Sequence, residues 1–404
     1  MTVPGPFLRG ITWNHPRGYA ALAELERLDA AADSRYGRVP APLRWDRQPL
    51  AAFESAPIAG LARRYDILVV DHPGLGAACM SLLPLDELFS AGELGAWAAA
   101  AAGPSFGCYG YAGHQWALPL DAATQICVVR PDLADGRPAP VTWQDVLALA
   151  RDVPIALVLG GPHALLTLLA MCAARGDPPV AEDSSGSPAC DFAEGTVERE
   201  GVLDALELLA GLYARADHRL AAGNPIEVLE AMAEGDAAVC CPLVYGYVTY
   251  SEPGRRPQTL AAHGAPAWAP GGRPGSVLGG TGVAVSRRVA DGAPDRAPDR
   301  AAAMAHLRRL LAEPVQLDLV PRAGGQPALR AAWESAAVNA ACGDFYQRTR
   351  ATLDQAWVRP RFPGWIGFQD EGSAVIRDGM ISRAAPATTL RRLRDSFRAH
   401  CLSS

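Results

Sequence analysis

The sequence predicts an α/β chain of two lobes, each a mixed, mainly parallel sheet flanked by helices, and three observations lead there. First, 404 residues exceed what one hydrophobic core accommodates, because single cores stop growing at roughly 250–300 residues. Second, two short and largely apolar stretches, Leu8 to Trp13 and Tyr65 to Val70, suit strands buried on both faces. Third, each stretch ends in turn-forming residues, Asn14-His15-Pro16 and Asp71-His72-Pro73-Gly74, and Tyr19 to Leu28 follows the first with helical spacing. In open sheets of this kind ligands sit beyond the carboxyl ends of the strands, which is where these turns fall.

Further along, Thr142 stands as the N-cap of a helix running to Ala150, with Asp145 three residues on to complete a capping box. An apolar strand over Ile155 to Leu159 leads through Gly160-Gly161-Pro162 into a long apolar helix from His163 to Ala174. Pro178 to Pro188 is polar and rich in Ser, Pro and Gly, the composition of a surface loop. Gly201 to Ala214 and Pro225 to Glu234 carry amphipathic helical spacing, and Ala237 to Tyr250 reads as a strand running into an aromatic segment. Asp291 to Arg300, with its repeated Ala-Pro-Asp-Arg, reads as a short solvated linker or helix lead-in.

Composition excludes several chemistries. All 37 basic residues are arginine, so no lysine is present for Schiff-base formation or for a phosphate-binding loop. A net charge of −6 without a basic stripe points away from nucleic acid. The nine cysteines (Cys79, Cys108, Cys127, Cys172, Cys190, Cys240, Cys241, Cys342 and Cys401) are odd in number and lack CxxC spacing, the pattern of buried thiols in a reducing compartment rather than a zinc knuckle or disulfide framework. No cofactor or metal is expected. The first residues lack a basic segment followed by an apolar run, and no stretch is long and apolar enough to span a bilayer. The expectation is a soluble chain, cytoplasmic as it stands, or periplasmic or extracellular if residue 1 is not the natural start.

Five segments in register then resemble the extracellular solute-binding proteins of ABC importers, the family that includes the maltose-binding protein. Trp116-Ala-Leu-Pro119-Leu-Asp121-Ala-Ala-Thr124-Gln125, followed by Val128-Val-Arg130-Pro-Asp132, resembles the family's first hinge strand. Thr142-Trp143-Gln144-Asp145 resembles its Thr-Trp-Asp-Glu helix start, and Glu234-Gly-Asp-Ala-Ala-Val239 a later strand start. Leu278-Gly279-Gly280-Thr281-Gly282-Val283-Ala-Val-Ser286 resembles the return hinge, and Gly325-Gln326-Pro327-Ala328 a Gly-Leu-Pro-like segment.

The resemblance implies a periplasmic-binding-protein-like fold, with residues 1–117 and 280–325 in an N-terminal lobe and 118–279 and 326–404 in a C-terminal lobe. Two hinge strands would join the lobes, with Gly279, Gly280 and Gly282 absorbing the change in backbone angles. The implied function is capture of a small polar, carbohydrate-like ligand by hinge closure, with an ABC importer permease as partner and the chain a monomer. No catalysis is implied.

Flat aromatic faces pack on sugar C–H surfaces while planar polar side chains bond the hydroxyls. By resemblance the contacts would be Asn14, His15 and Arg17 after the first strand, Asp71 and His72 after the second, and Asp121, Thr124, Gln125 and Thr281 at the hinge. His163 would open the long helix toward the ligand. Tyr245 would be the main stacking ring, with Tyr247 and Trp365 as further aromatics and Trp13 and Trp45 as weaker ones. Each has a plainer reading: Asn14 and His15 as a self-satisfied turn, Asp71 as a helix cap, the tyrosines as cross-strand packing. Arg17, Arg359 and Arg361 leave a carboxylated or phosphorylated ligand open. Two alternatives stand beside binding. One is a cytosolic sensor or carrier. The other is an enzyme on the same scaffold, using Cys108, Cys127, Cys240 or Cys241 as nucleophile with His163 or His72 as base.

Overall fold

The structure, a computed structural model, describes residues 7–183, 186–190, 200–290 and 297–402. The chain divides into two compact units. Unit 1 comprises Met1–Ala122, Ser184–Gly186 and Gly280–Val338, and unit 2 comprises Ala123–Asp183, Ser187–Gly279 and Asn339–Ser404.

In unit 1, β1 (Leu8–Trp13) lies between β2 (Leu43–Gln48) and β3 (Ile67–Val70) and is parallel to both. All four residues of β3 are buried, as its unbroken Ile-Leu-Val-Val requires. Close approach of β1 to β2 depends on Gly10, where a Cβ would lie 2.5 Å from the Trp45 ring. The helix α1 (Pro16–Ala30) connects β1 to β2. Its entry is fixed by Thr12, whose hydroxyl donates to the Gly18 carbonyl at 2.7 Å. A two-residue hairpin, β4 (Gly110–Tyr111) and β5 (His114–Gln115), precedes β6 (Ala117–Val129), a 13-residue strand buried along its whole length.

β6 begins in unit 1 and ends in unit 2. In unit 2 it pairs antiparallel with both β9 (Cys240–Tyr245) and β10 (Ala261–His263), while β7 (Val180–Glu182) and β8 (Pro188–Cys190) form a separate hairpin. β11 (Leu278–Val285) returns the chain to unit 1, where its last residues pair antiparallel with β3, from Gly282 opposite Val70 to Val285 opposite Ile67. The α/β class with mixed sheet holds, but the two units differ in kind. Unit 1 keeps the expected parallel neighbours, whereas β9 and β10 both pair antiparallel with β6. Ile155 to Leu159, expected as a strand, is buried extended chain that makes one isolated parallel bridge, Ile155 to Cys240. Its remaining amides turn to other partners, Leu159 N donating to Ala221 O at 2.9 Å.

Local signals account for several helices. Thr142 and Asp145 form the expected capping box on Trp143–Asp152. Asn224 and Glu227 do the same for Pro225–Glu234, with Pro225 at the first helical position where its missing N–H costs nothing. The helix His163–Ala174 has the expected bounds and every residue buried. It forms the centre of unit 2 because two helices, Glu200–Tyr213 and Trp365–Ser382, pack on it. The expected loop Pro178 to Pro188 contains the β7–β8 hairpin instead, an extended pairing that polar composition does not reveal. Asp291 to Arg300 falls partly outside the described residues, and Ala297–Leu310 is helical. No helix among the described residues is long and apolar enough to cross a membrane.

Candidate functional site

In unit 1 the turn after β1 places Asn14 in solvent, its amide donating to Gln48 O at 2.7 Å. His15 caps α1: its Nδ1 accepts from the Arg17 amide at 3.1 Å while the ring stacks on Trp13, 5.2 Å between centroids. Arg17, at the start of α1, turns inward. Its Nε donates to Asp121 Oδ2 at 2.5 Å, and both side chains are buried, at 5% exposure each. The other oxygen of Asp121 accepts from the Thr281 amide at 2.5 Å and from its hydroxyl at 2.8 Å. Three residues expected as separate ligand contacts are therefore brought together and bonded to one another.

After β3, His72 is fully buried, with its Nδ1 3.2 Å from Asp71 Oδ1 and its ring edge-on to Tyr109 at 6.1 Å. Asp71 keeps part of its carboxylate in solvent. Of the weaker aromatics, Trp13 is buried under His15 and Arg17, and Trp45 covers Gly10. Among the described residues no group of three or more His, Cys, Asp or Glu is placed to hold a metal ion.

In unit 2 Thr124 and Gln125 belong to the interior rather than to a binding surface. Thr124 Oγ1 bonds Ser276 Oγ and donates to Val277 O at 3.2 Å; Gln125 Oε1 accepts from the Val277 amide at 3.1 Å. Ser276 Oγ also donates to Gln125 O at 2.7 Å. The chain thus passes between units flanked by two buried polar clamps: Arg17–Asp121–Thr281 on the unit 1 side, and Thr124–Gln125 with Ser276–Val277 on the unit 2 side. What remains between them on β11 includes Gly279 and Gly280, the latter at φ +90°, a backbone that glycine adopts without strain.

Tyr245 closes β9 opposite Gln125 and is half-buried, its ring 5.9 Å from His163 at an interplanar angle of 66°. A Cβ on Gly279 would lie 2.6 Å from that ring, so the glycine makes room for the tyrosine. His163 is 3% exposed and its Nε2 has no hydrogen-bond partner in the structure. Burial, reinforced by the Arg359 and Arg377 charges, lowers its pKa to about 3, so the imidazole is neutral. His163 and Tyr245 form an edge-to-face aromatic pair with a neutral polar edge.

Trp365 corrects the expectation of another ligand aromatic. It is wholly buried, edge-on to Phe362 and Phe368 at 5.8 and 5.5 Å, because the apolar face of the helix it opens packs inward. Tyr247 is also buried, its ring edge-on to Tyr250. Both serve packing. The arginines considered for an anionic ligand are engaged as well: Arg361 pairs with Glu182 at 3.0 Å and Arg359 donates to Gln369 Oε1 at 3.2 Å. Ser276, Tyr109 and Gln369 were not foreseen, and nothing in their immediate sequence distinguishes them.

Three of the buried thiols are held away from the reactive thiolate form. A hydrogen bond with Cys127 and burial push Cys240 up, burial does the same to Cys241, and burial raises Cys342 to about 11, the reverse of what a reactive cysteine needs.

No protein-family model matches the chain, and no curated protein does. Solved structures do. The chain is similar to an ABC transporter solute-binding protein of Agrobacterium radiobacter in complex with ribitol, at 18% identity and TM-score 0.75, over 98% of each chain. It is similar to a maltose-bound protein of T. maritima at 14% identity and TM-score 0.76, over 97% of this chain and 99% of that one. A solute-binding protein of Thermotoga lettingae bound with α-D-tagatose gives 15% identity and TM-score 0.75 over 98% and 100%. At such identities the likeness establishes the fold, and it extends over the full length of both partners.

Proposed function

We propose that the chain is the solute-binding component of an ABC importer, capturing a small, uncharged, polyhydroxylated solute by hinge closure. The carrying observation is the end-to-end likeness to binding proteins that hold ribitol, maltose and tagatose. The glycine-containing stretch between the two polar clamps supplies the backbone freedom that closure needs.

The side chains support a neutral solute. Arg17 and Arg361 are paired with carboxylates, and His163 is neutral at physiological pH. A desolvated anion would need an uncompensated cation to offset its lost hydration. Tyr245 supplies the apolar face for C–H stacking, His163 the polar edge for a hydroxyl, and Asn14 and Asp71 the accessible hydrogen-bonding groups after β1 and β3. A permease is the proposed partner.

Calorimetry with ribitol, mannitol, tagatose and maltose, joined to small-angle scattering, tests this reading. The expected outcome is saturable binding of at least one of them with a decrease in radius of gyration. Failure of all four neutral solutes, together with binding of a sugar phosphate or sugar acid, would overturn the uncharged class. Binding without compaction would overturn hinge closure.

A further inference from the structure

Unit 2 contains a pair of cysteines that the binding function does not use. Cys127 lies on β6 and Cys240 on β9, 113 positions apart in sequence, and their Sγ atoms approach to 3.7 Å. Both are fully buried. The register explains the approach. Ile126 faces Val244 and Val128 faces Cys241, so two residues of β9, Pro242 and Leu243, oppose the single Cys127. This bulge accommodates Pro242, which has no amide to contribute to the ladder. The adjacent thiols Cys240 and Cys241 project to opposite faces of the strand. Cys240 meets Cys127, while Cys241 donates to Leu243 O at 3.7 Å.

We propose that Cys127 and Cys240 are the site of an intramolecular disulfide, formed when the chain folds in the presence of a low-molecular-weight disulfide. One cysteine thiolate attacks the small disulfide and expels one small thiolate, leaving a mixed disulfide. The second cysteine thiolate attacks the protein sulfur of that bond and expels the other. Two protein thiols lose two protons and two electrons, and the small disulfide is reduced to two thiols. The sulfurs must close by about 1.7 Å to reach the roughly 2.05 Å of a disulfide, and the interrupted ladder at Cys127 leaves that side of the pair the freer to move.

Timing follows from burial. In the folded chain the pair is shielded and the Cys240 thiol is held protonated by its neighbour and by desolvation, so exchange proceeds before β6 and β9 have closed on each other. In a reducing compartment the two remain thiols in a well-packed core. In an oxidising one they staple the strand that enters unit 2 to the strand that ends at Tyr245. The proposal is independent of which solute is bound.

The experiment refolds the full chain with either reduced or oxidised glutathione, followed by thiol counting in denaturant, peptide mapping and thermal melting. The reduced chain presents its nine thiols. The oxidised chain is expected to show a peptide linking Cys127 to Cys240 and a melting temperature roughly 5–15 °C higher, since the bond closes a long loop. Cys241→Ser retains both effects. Cys127→Ser, compared only with itself across the two conditions, loses both, which separates the crosslink from any packing cost of the substitution. Free Cys127 and Cys240 in the folded oxidised protein, a Cys240–Cys241 bond, or a link that fails to raise the melting temperature would each overturn the proposal.

Discussion

The polar group after β1 and the aromatic pair at the end of β9 make opposite uses of residues that look equally suited to a ligand. Arg17, Asp121 and Thr281 in unit 1 satisfy one another, so the carboxylate fixes β6, β11 and α1 in place. His163 and Tyr245 in unit 2 touch through ring edges, and the imidazole Nε2 has no hydrogen-bond partner. A buried polar group that is already bonded builds structure, whereas one without a partner stays in the fold at a free-energy cost that a ligand can relieve. The difference separates scaffold from candidate contact within a single set of strand-end residues.

The largest expected effect breaks the scaffold half of the comparison. Asp121→Ala leaves the Arg17 guanidinium buried without its counter-ion and should destabilise the chain by roughly 3–5 kcal/mol. The corresponding cut in the other clamp, Thr124→Val, removes only neutral hydrogen bonds and should cost about 1–2 kcal/mol. Denaturant unfolding of both variants measures the contrast, and equal costs would mean that the charge is no more important than a hydroxyl.

Next comes acid. Folded His163 takes up its proton near pH 3, while the unfolded residue does so near its ordinary 6.5. Between those values the unfolded chain binds more protons, so stability should be complete above about pH 6.5 and fall as the pH drops toward 3. His306 in unit 1, lowered to about 4 by burial, adds a slope of the same sign over a narrower pH range. Denaturation midpoints should flatten alike in His163→Leu and His306→Leu between about pH 4.5 and 6.5 and diverge only toward pH 3, where His163 alone still stays unprotonated in the folded chain; a slope lost in neither variant would contradict the assignment.

Smaller effects sharpen the aromatic half. Gly279→Ala drives a Cβ into the Tyr245 ring and should cost about 1–3 kcal/mol of stability by overpacking, read as a shift in unfolding midpoint. Tyr245→Ala should weaken solute binding by the roughly 0.5–1.5 kcal/mol of an aromatic contact, about 2- to 12-fold in Kd. Tyr245→Phe should leave affinity nearly unchanged, because the phenol reaches Leu278 O only at 3.5 Å. Calorimetry distinguishes the two, and a large loss in Tyr245→Phe would make the hydroxyl, rather than the ring, the contact.

Much of the architecture was legible. Leu8–Trp13 as a strand, the capping box at Thr142 and Asp145, and the bounds of His163–Ala174 and Pro225–Glu234 follow from periodicity and caps, which are local signals. The β7–β8 hairpin was hidden because its pairing is only three residues long and is set in a polar, Ser/Pro/Gly-rich stretch. The antiparallel ladder of unit 2 was hidden because apolar runs do not encode strand direction. In the candidate site, the sequence named the residues but not the partners that the fold gives them. Trp365, expected by resemblance as a ligand aromatic, is wholly buried against Phe362 and Phe368.

By itself the sequence determined where strands and helices begin, that the chain forms more than one core, and that arginine is its sole fixed cation, because caps, periodicity and composition act over a few residues or over none. Only the tertiary structure decided that Asp121 serves Arg17 and Thr281, that Trp365 belongs to a core, and that Cys240 rather than Cys241 meets Cys127. The Asp121 and Cys127 contacts depend on partners 104 to 160 positions away, and Trp365 on the helices that close around it; contact of that kind is set by packing alone.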